Sequence, residues 1–551
     1  MKIHLFVFIS LMCLLVSCSN DPVPSEEETK QPPSEETDND KEEDIGDEDT
    51  GRKVFFTNPV IPSDVPDICM TRVGEDYYMV STTMYFMPGA PIMHSKDLVS
   101  WKIIGYVLPS LNESNADNLE PNPDGVSDIY AQGQWAASLR YHDGWFYVMF
   151  ITGFGPTNHT YIYKTQDPAG EWQLAQTLPV MHDSSLFFED DGTPYIITAG
   201  GEIKQLNEDL TIKNDNYGNL NMNIEAGVQC EACQFFKVNG KYYAFFMYRP
   251  DNRKVLCFKS DNLTGPYLKK VVLDDSGIAQ GGVIDTPDGK WYGYFFKDMW
   301  PLGRCPYLTP CTWDKDWPMM GDENGKVPTQ MEVPIAGSLF PKSEMLVNDD
   351  FGKDKLGLTW QWNHNPNNDL WSLTERPGYL RLKTGRIMDD PTDIFHARNT
   401  LTQRVLNGIC SGRIAIDVSK MKDGDHAGLS AFNYYGGLIE VIKENGKYKL
   451  SMATYNQKLI NGEENNERVE MGEDIPFSQD VIYLRTDLNY TSNKATYYYS
   501  LDGYSWNQLG GETTLIYTLK HFTGYRFAIF NYATKTAGGY IDVDYFKYQL
   551  M

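Results

Sequence analysis

Three acidic residues stand out because the residues around them are apolar or neutral. Asp67 lies in VPDICM, Asp183 in MHDSSLFF and Glu231 in QCEACQFF. Burying an unpaired carboxylate costs free energy, so such a position seldom holds one without a use. Carboxylates that face one another across a pocket suit glycosidic cleavage, because one protonates the leaving oxygen while another acts on water or on the anomeric carbon.

A sequence repeat predicts that these acids meet. Five times a turn containing glycine precedes an aromatic-rich run, and the shared aromatic positions are 69, 48, 48 and 49 residues apart. These positions are Tyr78, Tyr147, Tyr195, Tyr243 and Tyr292. Spacings of this size are typical of propeller blades, so we predict a five-bladed β-propeller over residues 51–340.

Counting back from the turns places one residue of each repeat at the start of its first strand. Trp135, Asp183, Glu231 and Gln280 lie nine residues before the turn glycine, and Asp67 lies seven before it. The first strands of propeller blades line the central axis, so we predict that these five residues converge there. For a single acid, the alternative is a solvated position or an ion pair with arginine; for Trp135, it is simple core packing.

The second half of the chain has a different pattern. Over residues 346–551, alternating segments such as GYLRLKTG and GRIAIDVS are separated by Gly, Asn and Asp turns, and no long helix is indicated. This pattern predicts a two-sheet β-sandwich of concanavalin-like type. The predicted fold class is therefore all-β, with the propeller followed by the sandwich.

The N-terminus predicts export. Residues 1–18 contain Lys2 and an apolar run that ends in Leu15-Val16-Ser17-Cys18, which is similar to a bacterial lipobox and predicts a lipoprotein signal peptide lipidated at Cys18. An ordinary secretory signal is the alternative. Residues 19–50 contain 14 acidic residues and two lysines, which predicts a disordered tether. We therefore expect a lipid-anchored protein of the cell envelope, in the periplasm or at the outer membrane.

Charge excludes one class of partner. The formal net charge of −27 is spread over the tether and the remainder of the chain. An acidic surface repels phosphate backbones, so nucleic acid is not an expected partner.

Several motifs together resemble glycoside hydrolase family 43. They include NPVIPSDVPDICMTRVGEDYYMV, GQWAASLRYHDGWFYV, HDSSLFFEDDGTPYI, CEACQFFKVNGKYY, AQGGVIDTPDGKWY and PLGRCPYLTP. The later stretch DDFGKDKLGLTWQWN, with ARNTLTQR, resembles the C-terminal domain of the family's xylosidase and arabinofuranosidase branch. The resemblance covers nearly everything after residue 55 and implies a five-bladed propeller that acts with inversion of configuration.

The resemblance also implies roles for particular residues. Asp67 would be the general base that activates water, and Glu231 the general acid. Asp183 would orient the acid and raise its pKa, because a like charge nearby favours the protonated form. The sugar would be bound by Trp135, Gln280, Phe86 and Arg304 of the PLGR motif. For Arg304 the alternative is a structural ion pair.

Departures from the family pattern bear on the cofactor. Ile68 stands where the family usually has Pro, Ala137 also where it has Pro, and Ala232 where it has Gly. Ala279 replaces a histidine that the family links to a metal or water site on the axis. We therefore predict no metal and no cofactor, and an axial calcium is disfavoured.

The expected activity is the exo-acting release of terminal α-L-arabinofuranose from plant cell-wall hemicellulose oligosaccharides. The resemblance implies that a sandwich loop helps to wall the pocket, and Phe432 and Tyr434 could supply that wall or merely pack the sandwich core. The alternatives are a β-D-xylosidase and a catalytically decayed glycan-binding lipoprotein. Retention of all three acids argues against the latter.

Overall fold

The structure, a computed structural model, describes residues 53–120, 132–153, 158–335, 343–388, 392–456, 467–518 and 521–551 of the chain. The predicted signal peptide (1–18), the predicted tether (19–50) and the predicted lipidation site Cys18 lie outside the described residues. No helix among the described residues is long and apolar enough to cross a membrane.

Five four-stranded antiparallel sheets form the first half of the described chain. The N-terminal strand β1 (Phe55–Thr57) lies outside the blades. The first blade contains β2 (Cys69–Val73), β3 (Asp76–Val80), β5 (Gly89–Ser95) and β6 (Lys102–Leu108), and β4 (Phe86–Met87), which lies between β3 and β5 in the chain, pairs outside it. The second blade contains β7 (Ser138–His142), β8 (Trp145–Ile151), β9 (Thr160–Thr165) and β10 (Gln173–Leu178). The third contains β11 (Ser185–Phe188), β12 (Pro194–Ile197), β13 (Glu202–Leu206) and β14 (Ile212–Asn219).

The last two blades follow the same order. The fourth contains β15 (Gln229–Val238), β16 (Lys241–Arg249), β17 (Lys254–Ser260) and β18 (Leu268–Asp274). The fifth contains β19 (Ile278–Asp285), β20 (Trp291–Met299), β21 (Gly303–Asp314) and β22 (Trp317–Met320), and β23 (Gln330–Glu332) comes after it. The five-bladed propeller predicted from the repeat is confirmed.

The first strands of the blades form the inner ring. Strands β2, β7, β11, β15 and β19 each contact the next one around the ring, and β19 contacts β2. Two contacts join the first blade to the fifth. Arg72 of the first blade forms an ion pair with Asp285 of the fifth at 2.6 Å, and β1, before the first blade, pairs with β23, after the fifth. The turn glycines of the repeat have φ between +64° and +86°, which explains why glycine marks each blade.

The second half is a two-sheet sandwich, as predicted. Its first strands are β24 (Gln361–Asn363), β25 (Trp371–Ser372), β26 (Leu380–Lys383), β27 (Leu401–Arg404), β28 (Ile409–Asp417), β29 (Asp425–Phe432), β30 (Tyr435–Glu444) and β31 (Lys447–Asn456). They are followed by β32 (Arg468–Glu470), β33 (Ile475–Phe477), β34 (Val481–Asn489), β35 (Lys494–Ser500), β36 (Asn507–Gln508), β37 (Thr513–Thr514), β38 (Arg526–Ala533) and β39 (Tyr540–Leu550). Two 3₁₀ turns, Asn368–Leu370 and Ile394–His396, are also present.

The two sheets share one core. One sheet has the order β32-β31-β30-β29-β38-β27-β24-β4, with β33 on β31, and the other has the order β25-β26-β39-β28-β34-β35-β36, with β37 on β35. Buried aliphatic and aromatic side chains between them, such as Ile414, Leu429, Phe527 and Phe546, form a single cluster. Burial of this apolar surface is the main force that holds the sheets together.

One strand of the propeller half belongs to a sandwich sheet. Strand β4 leaves the first blade and pairs with β24, so that Trp362 lies opposite Met87 and Asn363 opposite Phe86. A mixed apolar cluster surrounds this joint and contains Phe86, Phe150, Phe395 and Phe432. The sandwich is therefore packed directly against the propeller, next to its axis.

Candidate active site

A pocket of about 350 Å³ lies at the propeller axis. The pocket is lined by Asp67, Met84, Trp135, Ala136, His182, Asp183, Gln229, Glu231, Ala232, Met247, Arg253, Ala279, Gln280, Phe296, Asp298, Trp300, Arg304, Tyr517 and Phe522. The five positions obtained by counting back from the turns are all in this set. The structure therefore brings Asp67, Trp135, Asp183, Glu231 and Gln280 together, one from each blade.

The backbone turns sharply where the acids lie. Asp67 has φ of +51°, Asp183 of +45°, and Ala232, next to Glu231, of +70°. Non-glycine residues are uncommon in this left-handed region, and such outliers concentrate at functional sites. The register of β15 against β16 also shifts between Glu231 and Gln234, which is a bulge that re-aims the strand at the axis.

Asp67 is held by Arg304. The Arg304 Nη1 atom lies 2.9 Å from Oδ1 and 3.1 Å from Oδ2 of Asp67, and both side chains are buried. The ion-pair alternative for Arg304 is therefore present in the structure, and its partner is the predicted base. Because Arg304 also lines the pocket, the same guanidinium can orient Asp67 and donate hydrogen bonds to a bound ligand.

Asp183 is nearly buried, with its side chain 10% exposed. Its Oδ2 accepts a hydrogen bond from the Ala232 N–H at 3.1 Å, and its Oδ1 lies 3.4 Å from His182 Nε2. Burial, helped by the negative charges of Asp67 and Glu231, raises the pKa of Asp183 to about 8. Asp183 is therefore protonated at neutral pH, so it does not supply the like charge that the resemblance implies as the cause of a raised pKa at Glu231. It contacts the strand that carries Glu231.

Glu231 lies at the start of β15. Gln229 Nε2 donates to its Oε1 at 2.6 Å. Burial raises the pKa of Glu231, and the negative charge of Asp67 adds to this, whereas the Gln229 hydrogen bond and the positive charge of Arg253 act in the opposite direction. A carboxyl group with a raised pKa can hold a proton for donation.

The sandwich closes one side of the pocket, but not with the predicted residues. Tyr517 and Phe522 line the pocket. The Phe522 ring lies parallel to Trp135, with centroids 6.1 Å apart, and Arg304 lies 4.7 Å from its centroid. Phe432 and Tyr434 are buried and pack around His521, so of the two alternatives for these residues the structure shows packing.

A single buried carboxylate ties that wall to the propeller. Asp64 is 3% exposed, and its two oxygens accept the backbone N–H groups of Arg304 at 2.8 Å and of Gly524 at 2.9 Å. Arg304 Nη2 donates in turn to the Phe522 carbonyl at 2.9 Å. A Cβ atom at Gly524 would lie 1.9 Å from the Leu302 carbonyl oxygen, so only glycine permits this close approach.

Phe86 was predicted to bind substrate, and the structure places it elsewhere. Its side chain is 1% exposed, does not line the pocket, and lies under the Arg526 guanidinium at 4.2 Å. The reason is that β4 crosses to the sandwich sheet, which buries Phe86 in the joint. Met84, two residues earlier, reaches the pocket instead.

The axial residues do not fit the metal site that the resemblance suggests. Ala279 lines the pocket where a histidine would be needed, and its neighbour Gln280 offers only an amide. Among the described ranges, no group of three or more His, Cys, Asp or Glu side chains is arranged to hold a metal ion. No chemical step is therefore assigned to a metal here.

Sequence reasoning missed several residues of the pocket. Asp64 lies only three positions before Asp67, yet nothing in its local sequence indicates that it bridges two domains. Arg253, Asp298 and Trp300 lie in or beside hairpins that leave the axis, outside the positions obtained by counting back. Phe522 lies outside any repeat, so no periodic signal could have found it.

The fold and the site together define a class of protein. An axial pocket that gathers carboxyl groups of unlike environment suits glycosidic cleavage. Comparison with known families matches residues 56–318 to glycosyl hydrolases family 43 and residues 348–549 to the β-xylosidase C-terminal concanavalin A-like domain. The chain belongs to glycoside hydrolase family 43.

Individual relatives are named for two activities. A β-xylosidase of Formosa agariphila is 30% identical over 98% of this chain and 96% of its own length. A non-reducing end α-L-arabinofuranosidase of Bacteroides ovatus is 31% identical over 60% of this chain and 65% of its own length. Among solved structures, a bifunctional GH43-CE protein of Bacteroides eggerthii has a TM-score of 0.82 and 42% identity over 91% of this chain, which spans 64% of that protein.

Proposed function

We propose that this protein is an exo-acting, inverting glycoside hydrolase that releases terminal α-L-arabinofuranose from plant hemicellulose side chains. The observation that carries the proposal is the pocket itself. Three carboxyl groups in unlike surroundings face a cavity of about 350 Å³ that a sandwich loop closes on one side. A pocket of this volume that is walled on one side suits one terminal sugar.

In the proposed mechanism, the two acids act on opposite sides of the anomeric carbon. Glu231, whose raised pKa favours the protonated form, gives its proton to the leaving oxygen as the glycosidic bond breaks. Asp67, held by Arg304, takes a proton from the water whose oxygen bonds to the anomeric carbon. Asp183 is a positioning residue, because it holds the Ala232 N–H next to Glu231.

The choice of pentose has a second candidate. One relative is named a β-xylosidase and another an α-L-arabinofuranosidase, which supports β-D-xylosidase activity as the alternative. A solved structure with TM-score 0.81 and 29% identity is described as an engineered family member with both endo-xylanase and exo-arabinofuranosidase activity. These names support a pentose as the sugar released.

The test compares two aryl glycosides. Protein lacking residues 1–50 is assayed with 4-nitrophenyl α-L-arabinofuranoside and with 4-nitrophenyl β-D-xyloside. A faster reaction with the arabinofuranoside supports the first candidate, and a faster reaction with the xyloside supports the second. Turnover of neither would overturn both and favour a glycan-binding protein without catalysis.

Glu231→Gln tests the acid. We expect a loss of orders of magnitude on natural glycosides and a smaller loss on aryl glycosides, because a good leaving group needs less protonation. Glu225→Gln is the matched control, since Glu225 lies outside the pocket and bonds Tyr248. Equal losses of the Glu231 variant on both substrates would contradict the role.

The proposed location is the cell envelope, with the lipid anchor at Cys18. Its support is the apolar run before Cys18 and the acidic segment after it. Metabolic labelling with a radioactive fatty acid should mark the full-length protein and leave a Cys18→Ser variant unmarked. Labelling of both would contradict the proposal.

A further inference from the structure

One side of the sandwich points away from both of its cores. The sheet that contains β29 and β38 is covered on both sides, because Ile529 lies in the core between the sheets and Phe530 packs in the joint with the propeller. The other sheet, which contains β28, β34, β35 and β39, has the core between the sheets on one side only. Its opposite side, which we name the outer face, carries exposed side chains such as Lys547.

The strand register arranges the outer face in rows. Successive side chains of a strand point to opposite faces of the sheet, and residues directly opposite on neighbouring strands lie side by side. Across β39, β28, β34 and β35, one row consists of Lys547, Arg413, Arg485 and Tyr498. The adjacent row consists of Tyr545, Ala415, Tyr483 and Ser500. Three cationic side chains are thus direct neighbours, and we name the first of these rows the cationic row.

The charges of the cationic row are not balanced within the outer face. Like charges directly opposite each other destabilise a sheet. Arg485 forms an ion pair with Asp487 of the same strand. Of the acidic side chains that the structure describes, none pairs with Arg413 or Lys547, although Asp544 is exposed nearby on β39. Two positive charges are therefore open to an external anion, on a chain whose formal net charge is −27.

A different row of the same sheet shows how like charges are balanced elsewhere. There Asp542 of β39 lies opposite Asp417 of β28. Arg381 forms an ion pair with Asp542 at 2.7 Å, and Arg376 forms one with Asp417 at 2.7 Å. An anionic ligand could supply for the cationic row what these two arginines supply here.

Aromatic rings border the cationic row. The Lys547 ammonium lies 4.4 Å from the centroid of the Tyr545 ring. The Arg485 guanidinium lies 4.8 Å from the centroid of the Tyr498 ring. Tyr504, on the turn after β35, is 90% exposed. Because tyrosine has a flat apolar ring and a polar edge, it suits the apolar face and hydroxyl rim of a sugar.

The length of the row favours a chain of sugars. Neighbouring strands are about 4.8 Å apart, so the row from Lys547 to Tyr498 extends over roughly 14 Å. This is longer than one sugar ring. None of these residues lines the axial pocket, so a polymer held here would be bound at a separate surface.

We propose that the outer face binds a plant polysaccharide that carries uronic acids. Arg413, Arg485 and Lys547 donate charge-assisted hydrogen bonds to the carboxylates, and a guanidinium fork fits the two oxygens of such a group. Tyr498 and Tyr545 stack on sugar rings of the same chain. The plant origin of the polymer rests on the proposed function, whereas the recognition of a charged glycan does not.

The test compares one polymer with and without its charge. Glucuronoxylan, and the same polymer after chemical conversion of its carboxyl groups to alcohols, are titrated into the full chain in non-ionic detergent. All proteins carry Asp67→Asn so that the polymer is not shortened. Isothermal titration calorimetry should show binding of the charged polymer about tenfold tighter than binding of the uncharged one.

Arg413→Gln/Lys547→Gln is the decisive variant. Neither residue has an acidic partner, so the substitutions leave no carboxylate unpaired and relieve repulsion within the cationic row. We expect the tenfold preference to be lost, with a melting temperature that is unchanged or higher. Lys213→Gln/Lys315→Gln removes two exposed charges of the propeller and is the matched control, which should keep the preference.

A substitution of one ring separates stacking from charge. Tyr545→Ala should weaken the binding of both polymers by a similar factor, because a sugar ring stacks on tyrosine whether or not it carries a carboxylate. A loss confined to the charged polymer would contradict the stacking role of Tyr545.

Several results would overturn the proposal. They are equal binding of the two polymers by the chain with an intact outer face, a preference that survives in Arg413→Gln/Lys547→Gln, and an equal loss in the propeller control. Binding of dextran sulfate that the outer-face variant loses, without any preference for charged glucuronoxylan, would assign the face to sulfated glycans instead. The aryl glycoside assay tests the proposed function separately, so either proposal can fail while the other stands.

Discussion

The propeller and the sandwich both line the pocket, but they reach it in different ways. The propeller supplies Asp67, Asp183 and Glu231 at or just before the starts of inner strands. These are equivalent positions of different blades. The sandwich supplies Tyr517 and Phe522 from a segment between β37 and β38 that follows no repeat. The comparison suggests that the regular region carries the chemistry and the irregular region carries the shape of the pocket.

The largest effect is expected for a substitution in the propeller, the regular region. Asp67→Asn should lower kcat by about 10³-fold, because the amide cannot take a proton from water even if it keeps its place beside Arg304. Steady-state kinetics on the preferred aryl glycoside measures this. Asp215→Asn, an exposed change in the third blade, should leave kcat within twofold. A loss below tenfold for Asp67→Asn would contradict its role as base.

A smaller effect is expected for a substitution in the sandwich segment between β37 and β38, the irregular region. Phe522→Ala removes the ring that faces Trp135 but keeps the carbonyl that Arg304 contacts. We expect kcat/KM to fall about ten- to thirtyfold, mainly through KM, because a wall that only shapes the pocket contributes similarly to the ground state and the transition state. A loss confined to kcat would show that the sandwich takes part in the chemistry.

Phe432→Leu sharpens the same comparison. Phe432 is buried in the joint beside Phe86 and Phe395 and does not line the pocket. The smaller side chain should lower the melting temperature through lost packing and leave KM within twofold. Thermal denaturation and kinetics on one preparation measure both. A raised KM with an unchanged melting temperature would restore Phe432 to the pocket wall.

The smallest expected effect concerns protons and stability. The pKa of Asp183 is raised to about 8 in the folded chain, against an ordinary value near 4 when unfolded. The stability contributed by the bound proton is therefore full below about pH 4 and is lost as the pH rises through 8. Asp183→Asn lacks this dependence, so its melting temperature relative to wild type should rise by a few degrees between pH 5 and 8. Parallel curves would contradict the raised pKa.

The sequence predicts the regular parts of this protein because they repeat. The blade count and the convergence of five axial residues follow from the spacing of aromatic runs and turn glycines. The sequence does not locate Phe86 and Phe432 for one physical reason: the first is on a strand that pairs across the domains, and the second packs against that joint. Contacts between residues hundreds of positions apart leave no local pattern.

Asp64 shows the same limit and has a consequence for biosynthesis. Its carboxylate joins Arg304 to Gly524, a residue 460 positions further along the chain. Ribosomes add about 5–20 residues per second, so a propeller that has already folded waits roughly 10–40 s for the sandwich to emerge. During that interval the pocket lacks Tyr517 and Phe522. A nascent chain thus acquires its complete substrate pocket only after the segment that carries Tyr517 and Phe522 has been made.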